Sequence, residues 1–162
     1  MRSGLKLCSI VLAVVILGNL PVWGQEKPAA APTTKPAAKP DEKTAPELLA
    51  SAKTAYQQKN YQGAVDQFRK YIKTYGNQPE APSARYGLAL ALAALPQPDY
   101  NAIVEALTPT IAATFPEKPY ALYYLGLAFR WQGLKDPATA RQKFEQAGQQ
   151  FAAAAAGFAA LP

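Results

Sequence analysis

The stretch 120-YALYYLGLAFRWQG-133 decides how the rest of the chain is read. Tyr120, Tyr123 and Tyr124 precede a waist of Leu125, Gly126, Leu127 and Ala128. Phe129 and Trp131 follow, with Arg130 between them. Apolar residues recur at three- and four-residue intervals, the pattern of a helix. Glycine at a helix centre costs about 1 kcal/mol relative to alanine. Its presence predicts a close approach by a second helix, packed against Ala140 and its neighbours, with the large side chains on either side filling the wedge between the two.

The same arrangement occurs twice upstream. Ala52, Ala89 and Gly126 stand at intervals of 37 residues. Leu49, Tyr86 and Tyr123 lie three residues before them, and Ala55, Leu92 and Phe129 three after. Self-similarity at a fixed period of this size predicts stacked supersecondary units, each a pair of helices. Cap signals divide the chain further. Thr44-Ala45-Pro46-Glu47 is a capping box, and Asn60, Asp99 and Asp136 are N-cap residues, the last followed by Pro137 at a first helical position. Helices are expected near 47–59, 61–75, 81–95, 99–114, 119–132 and 137–160.

The repeat resembles the tetratricopeptide repeat (TPR) over Glu47 to Ala147. Leu125-Gly126 with Phe129 and Gly133 is similar to the first helix of such a unit, and Ala140, Phe144 and Ala147 to the second. Tyr61, Ala64, Phe68 and Tyr71 follow the second-helix pattern in the first copy, and Tyr100 to Leu107 follows it more loosely in the middle copy. The period is three longer than the usual 34. FRKYIKTYGNQPEAPSARYGLALAL resembles repeats of exported bacterial envelope proteins of the outer-membrane-assembly and division-coordinator kind, with Gly76 where proline is usual. The resemblance implies an all-α fold, a right-handed solenoid of antiparallel helix pairs with about three repeats, and a concave face formed by the first helix of each pair. The residues it places there are Leu49, Lys53, Tyr56 and Gln57; Tyr86, Leu90, Ala93 and Ala94; and Tyr123, Leu127, Arg130 and Trp131. Of these, Lys53, Tyr56, Tyr86, Leu90, Tyr123, Leu127, Arg130 and Trp131 are the candidate partner-binding residues. Tyr86, Tyr123 and Trp131 would act as rigid anchors and Arg130 as the pair for a partner carboxylate. The competing reading of Tyr86 and Tyr123 is core. A chaperone-type clamp for acidic C-termini needs paired Lys, Asn and Arg, which Lys53 and Arg130 alone do not supply.

Before the repeats stand two segments of different composition. Residues 1–24 have the order of a secretory signal peptide: Arg2 and Lys6, an apolar run from Leu7 to Leu17, then Asn19, Pro21 and the short side chains around Trp23. The run is shorter than the ~20 residues that span a bilayer. Cleavage is expected between Gly24 and Gln25, giving an exported protein of the periplasm or cell envelope; an uncleaved anchor is the alternative. Residues 25–46 form a linker rich in Pro, Ala and Lys, biased toward extended polyproline II.

Composition narrows the chemistry. Histidine is absent, and the only cysteine, Cys8, lies inside the leader. The mature chain therefore has no Cys- or His-built zinc site, no disulfide and no triad of the Ser-His-Asp type. Its carboxylates after position 46 are Glu47, Asp66, Glu80, Asp99, Glu105, Glu117, Asp136 and Glu145, no two within four residues. No glycine-rich phosphate loop is present. The expectation is a non-catalytic scaffold with no cofactor and no metal. The whole chain carries +6, reduced to +4 once Arg2 and Lys6 leave with the leader. Arg69, Lys70 and Lys73 read as a solvated face, with no basic, aromatic-interleaved stripe for nucleic acid. A protein or peptide partner is expected instead.

The C-terminus supports an alternative, a self-assembling envelope protein. Phe144, Ala147, Phe151, Ala154 and Phe158 form one stripe on the last helix, and no charge follows Glu145. Such a seam needs cover. It is expected to fold back, to pair with a second copy, or to belong to the first part of a longer array.

Overall fold

The computed structural model describes residues 43–161, which fold into one helical body. The leader, and the linker up to residue 42, lie outside the described residues. Six α-helices follow one another: α1 (Ala45–Gln57), α2 (Tyr61–Tyr75), α3 (Ala81–Ala93), α4 (Tyr100–Leu107), α5 (Lys118–Lys135) and α6 (Ala140–Ala159). The described residues contain no strand. No helix among them is long and apolar enough to cross a membrane.

Local sequence sets the boundaries. Glu47 reaches back to the start of α1, where its Oε2 accepts from the backbone N–H and the hydroxyl of Thr44, both at 2.8 Å. Those bonds, the backbone one first, hold its carboxyl below the usual range. Asn60 caps α2 through Gly63 N–H at 3.0 Å, and Asp99 caps α4 through Ala102 N–H at 3.0 Å. Between α1 and α2, Lys59 adopts φ 60°, a left-handed position usually taken by glycine. Asn60 N–H then bonds Ala55 O and Lys59 N–H bonds Tyr56 O, closing the helix end.

Several boundaries differ from the sequence expectation: α1 lies two residues earlier at both ends, α3 stops at 93 rather than 95, α5 ends at 135 rather than 132, and the end of α4 and the start of α6 differ for local reasons. The fourth helix stops at Leu107 rather than 114, because Pro109 has no N–H to give Glu105. The chain tightens there into a 3₁₀ turn, Thr108–Thr110. The buried Thr110 hydroxyl donates to Leu107 O at 2.7 Å. The sixth helix starts at Ala140, not 137. Asp136 accepts from Ala138 N–H and from the Thr139 hydroxyl, and these bonds form a turn in place of a helix cap.

Each helix packs on the next in sequence, and α3 also touches α1 and α5. The central helices are accordingly apolar on several sides. Ala81, Ala84, Leu88, Ala89, Ala91 and Leu92 are buried on α3, and Ala121, Leu122, Leu125, Gly126, Ala128 and Phe129 on α5. By contrast, α2 buries one stripe, Ala64, Val65, Phe68 and Tyr71, and turns its charges outward. The repeat positions Ala52, Ala89 and Gly126 are all buried.

Glycines mark the close approaches. A Cβ on Gly87 would lie 2.5 Å from the Phe68 ring, and one on Gly126 would lie 2.7 Å from Phe151. Gly126 thus faces Phe151 rather than Ala140, because α5 runs to Lys135 and brings Gly133 level with Ala140 and Phe144. Pro119 meets Gly157 at the other end, so α5 and α6 lie antiparallel along this seam. The stripe read as needing cover is therefore largely covered within the chain. Ala147 and Ala154 are buried against α5, and Phe151 and Phe158 are half-buried.

Candidate functional site

Tyrosines on α3 and α5 form a line of ring contacts that reaches α6, and a separate pair joins α1 to α2. Tyr56 on α1 meets Tyr61 edge-on at 5.5 Å between centroids. Tyr86 on α3 meets Tyr124 on α5 at 6.2 Å, and Tyr124 meets Tyr123 at 5.8 Å. From Tyr123 the line continues to Phe151 at 5.8 Å, while Tyr120 meets Phe158 at 4.9 Å. All but the tilted Tyr123–Phe151 pair are edge-to-face, a geometry that adds ~0.5–1.5 kcal/mol beyond burial.

Two openings lie along this line. The first, about 200 Å³, has walls of Tyr56, Phe68, Tyr86, Gly87 and Leu90, with Lys53 and Glu117 at its rim. Gly87 helps open it, since a side chain there would meet Phe68. Glu117 is positioned by the Ser83 hydroxyl, which donates to its Oε2 at 2.9 Å. The second, about 490 Å³, lies between α5 and α6 and is lined by Tyr123, Leu127, Arg130, Phe151, Ala155 and Phe158. Among the described residues the one ion pair is Arg141–Glu145 at 3.2 Å, so Lys53 and Arg130 have no acidic partner there.

The eight candidate residues therefore fall into three places. Lys53, Tyr56, Tyr86 and Leu90 line the first opening, and Tyr123, Leu127 and Arg130 line the second. Trp131 joins neither. It stacks on Tyr100 of α4, centroids 5.4 Å apart and planes 15° from parallel. Neighbours on a helix point about 100° apart, so Arg130 and Trp131 cannot both face the same opening. The other positions that the resemblance placed on this face divide too: Gln57 is exposed, Ala93 and Ala94 are half-buried, and Leu49 is buried in the core.

Sequence reasoning missed Tyr124, Glu117, Gly87 and the α6 rings as parts of this surface. Gly87 carried a signal, a glycine inside the otherwise apolar run 86-YGLALALA-93. It also missed a third, polar cleft of about 670 Å³ between α4 and the α5–α6 turn, where Asn101 accepts from Gln132 Nε2 at 2.7 Å.

Burial pushes the Tyr86 hydroxyl up to about 12, with the nearby Tyr124, Tyr56, Glu117 and Tyr120 adding to the shift. Desolvation raises Tyr56 as well. A raised folded-state value means stability that is complete below the unfolded value near 10 and is lost as pH rises toward 12. Thermal midpoints of wild type and Tyr86→Phe should therefore differ by a constant below about pH 10. Above it, wild type should lose ground to the variant. A difference that stays constant through this window would contradict the burial of that hydroxyl.

Among the described residues no three His, Cys, Asp or Glu side chains gather as a metal site. Comparison with protein-family models finds no match, and neither curated proteins nor solved structures give one.

Proposed function

We propose that this chain is a non-catalytic interaction module of the cell envelope that holds a segment of another protein along the face of α1, α3 and α5. In this reading the helices form a right-handed solenoid of antiparallel pairs similar to tetratricopeptide repeats. The 37-residue spacing of Ala52, Ala89 and Gly126 and the contacts of α3 with both α1 and α5 support it. The observation that carries it is the line of tyrosine rings joining two apolar openings, each with a cation at its edge that forms no ion pair among the described residues. Rigid aromatic rings supply contact area at low entropic cost, and rim cations select partners carrying carboxylates. The leader-like first 24 residues support export.

Reversing both cations tests the reading. Lys53→Glu with Arg130→Glu should lower capture of the partner from envelope extract at least about tenfold, through lost attraction and new repulsion. Both side chains are exposed, so helical content by circular dichroism should not change. Undiminished capture by a folded double variant would refute it.

A further inference from the structure

The polar cleft between α4 and the α5–α6 turn, about 670 Å³, shares no residue with either apolar opening. Its size falls within the roughly 300–1,000 Å³ of small-molecule sites. Most such sites are apolar, and this one is not. Asp99, Asn101, Gln132, Lys135, Asp136 and Lys143 all line it. The two lysines and two aspartates balance in charge. An anion entering the cleft would meet both carboxylates and a cation both ammonium groups, and like charges set face to face cost affinity. A neutral ligand that both donates and accepts hydrogen bonds meets no such penalty.

Part of this polar equipment has no use inside the chain. Asp99 Oδ1 caps α4, and the two oxygens of Asp136 hold the turn into α6. The amides are less well satisfied. Gln132 Nε2 donates to Asn101 Oδ1 at 2.7 Å, linking α5 to α4, while Gln132 Oε1 is buried with no donor. A buried acceptor left empty is costly. A ligand hydroxyl can enter between the two amides, donating to one and accepting from the other.

The edge of the cleft is aromatic. Tyr100 lines it and carries Trp131 on its ring, the planes 15° from parallel. Trp131 lies one turn before Lys135, on the same side of α5. It is 42% exposed although Tyr100 covers one of its faces. An open indole face beside planar amides and balanced charges suits a pyranose ring. The C–H side of the sugar lies on the negative π face. Its hydroxyls, each a donor and an acceptor, reach the amides and the charged groups.

We propose that this cleft binds a short neutral saccharide chain, stacked on Trp131 and hydrogen-bonded by Asn101, Gln132 and Lys135. The site is separate from the face of α1, α3 and α5, so it stands or falls independently of segment binding.

Calorimetric titration of the full chain with maltotetraose, cellotetraose and chitotetraose tests it, with tryptophan emission followed in parallel. At least one of the three should bind saturably, with a dissociation constant of about 1 mM or below, and should shift the emission. Asn101→Ala and Lys135→Ala alter exposed side chains, so helical content should not change. Each should weaken binding at least about tenfold, through a lost hydrogen bond. Trp131→Phe keeps a ring on Tyr100; it should bind more weakly and lose the emission shift. No saturable heat from any of the three saccharides, binding indifferent to both Asn101→Ala and Lys135→Ala, or uptake of inorganic triphosphate in place of the saccharides would each overturn the proposal.

Discussion

Phe68→Ala should remove about 3–5 kcal/mol of stability, the cost of emptying a buried aromatic site. The ring is 2% exposed and lies over Gly87, joining α2 to α3. A domain of this size has about 5–15 kcal/mol in total, so this one change would leave the fold marginal. Gly87→Ala alone should also destabilise, by about 1–3 kcal/mol, because its Cβ would lie 2.5 Å from the buried Phe68 ring, which would have to shift. Combined, the two should cost less than their sum, since the new methyl enters the space the ring has left. Such non-additivity is the signature of direct contact. Urea denaturation of the four proteins measures it; strict additivity would mean that the ring and the glycine do not meet.

Gly126→Leu should cost about 3 kcal/mol, at the upper end for overpacking. The site lies midway along α5, where the Phe151 ring occupies the space into which a side chain would project. The gain in helix propensity, about 1 kcal/mol, is too small to offset that. Loss should concentrate on α6, which packs chiefly on α5. Hydrogen exchange should accordingly accelerate in residues 140–159 before it does in α1 to α3. Adding Phe151→Ala should return part of the stability.

These two sites show how far the sequence could be read. Regular spacing exposed the small positions Ala52, Ala89 and Gly126, and all three are buried. Periodicity says that a neighbour is close but not which one. The sequence reading places Gly126 against Ala140 and its neighbours, yet it meets Phe151, because the register depends on where the α5–α6 turn falls. Asp136 has a polar side chain equally able to cap a helix or close a turn, and it closes a turn. The register moved accordingly. Pro109 stands among alanines and Ile111 that are compatible with a helix, and its missing N–H decides the end of α4. The candidate surface was legible where residues share a helical stripe, as Tyr123, Leu127 and Arg130 do. Trp131, beside Arg130 in sequence, lies outside that stripe and stacks on Tyr100. Contacts between distant helices, such as Tyr86 with Tyr124 or Glu117 with Ser83, leave no periodic trace in a single sequence.

The central claim is that another protein lies along the face of α1, α3 and α5. Site-specific photo-crosslinking in the native cell tests it most directly, with a photoreactive phenylalanine analogue placed at Leu90 or Leu127 on that face, and at Thr74 on the exposed side of α2 as the control. Discrete adducts of one higher mass from Leu90 and Leu127, with none from Thr74, are the expected result. Adducts from Thr74 alone, or none from either position on the face, would contradict the claim.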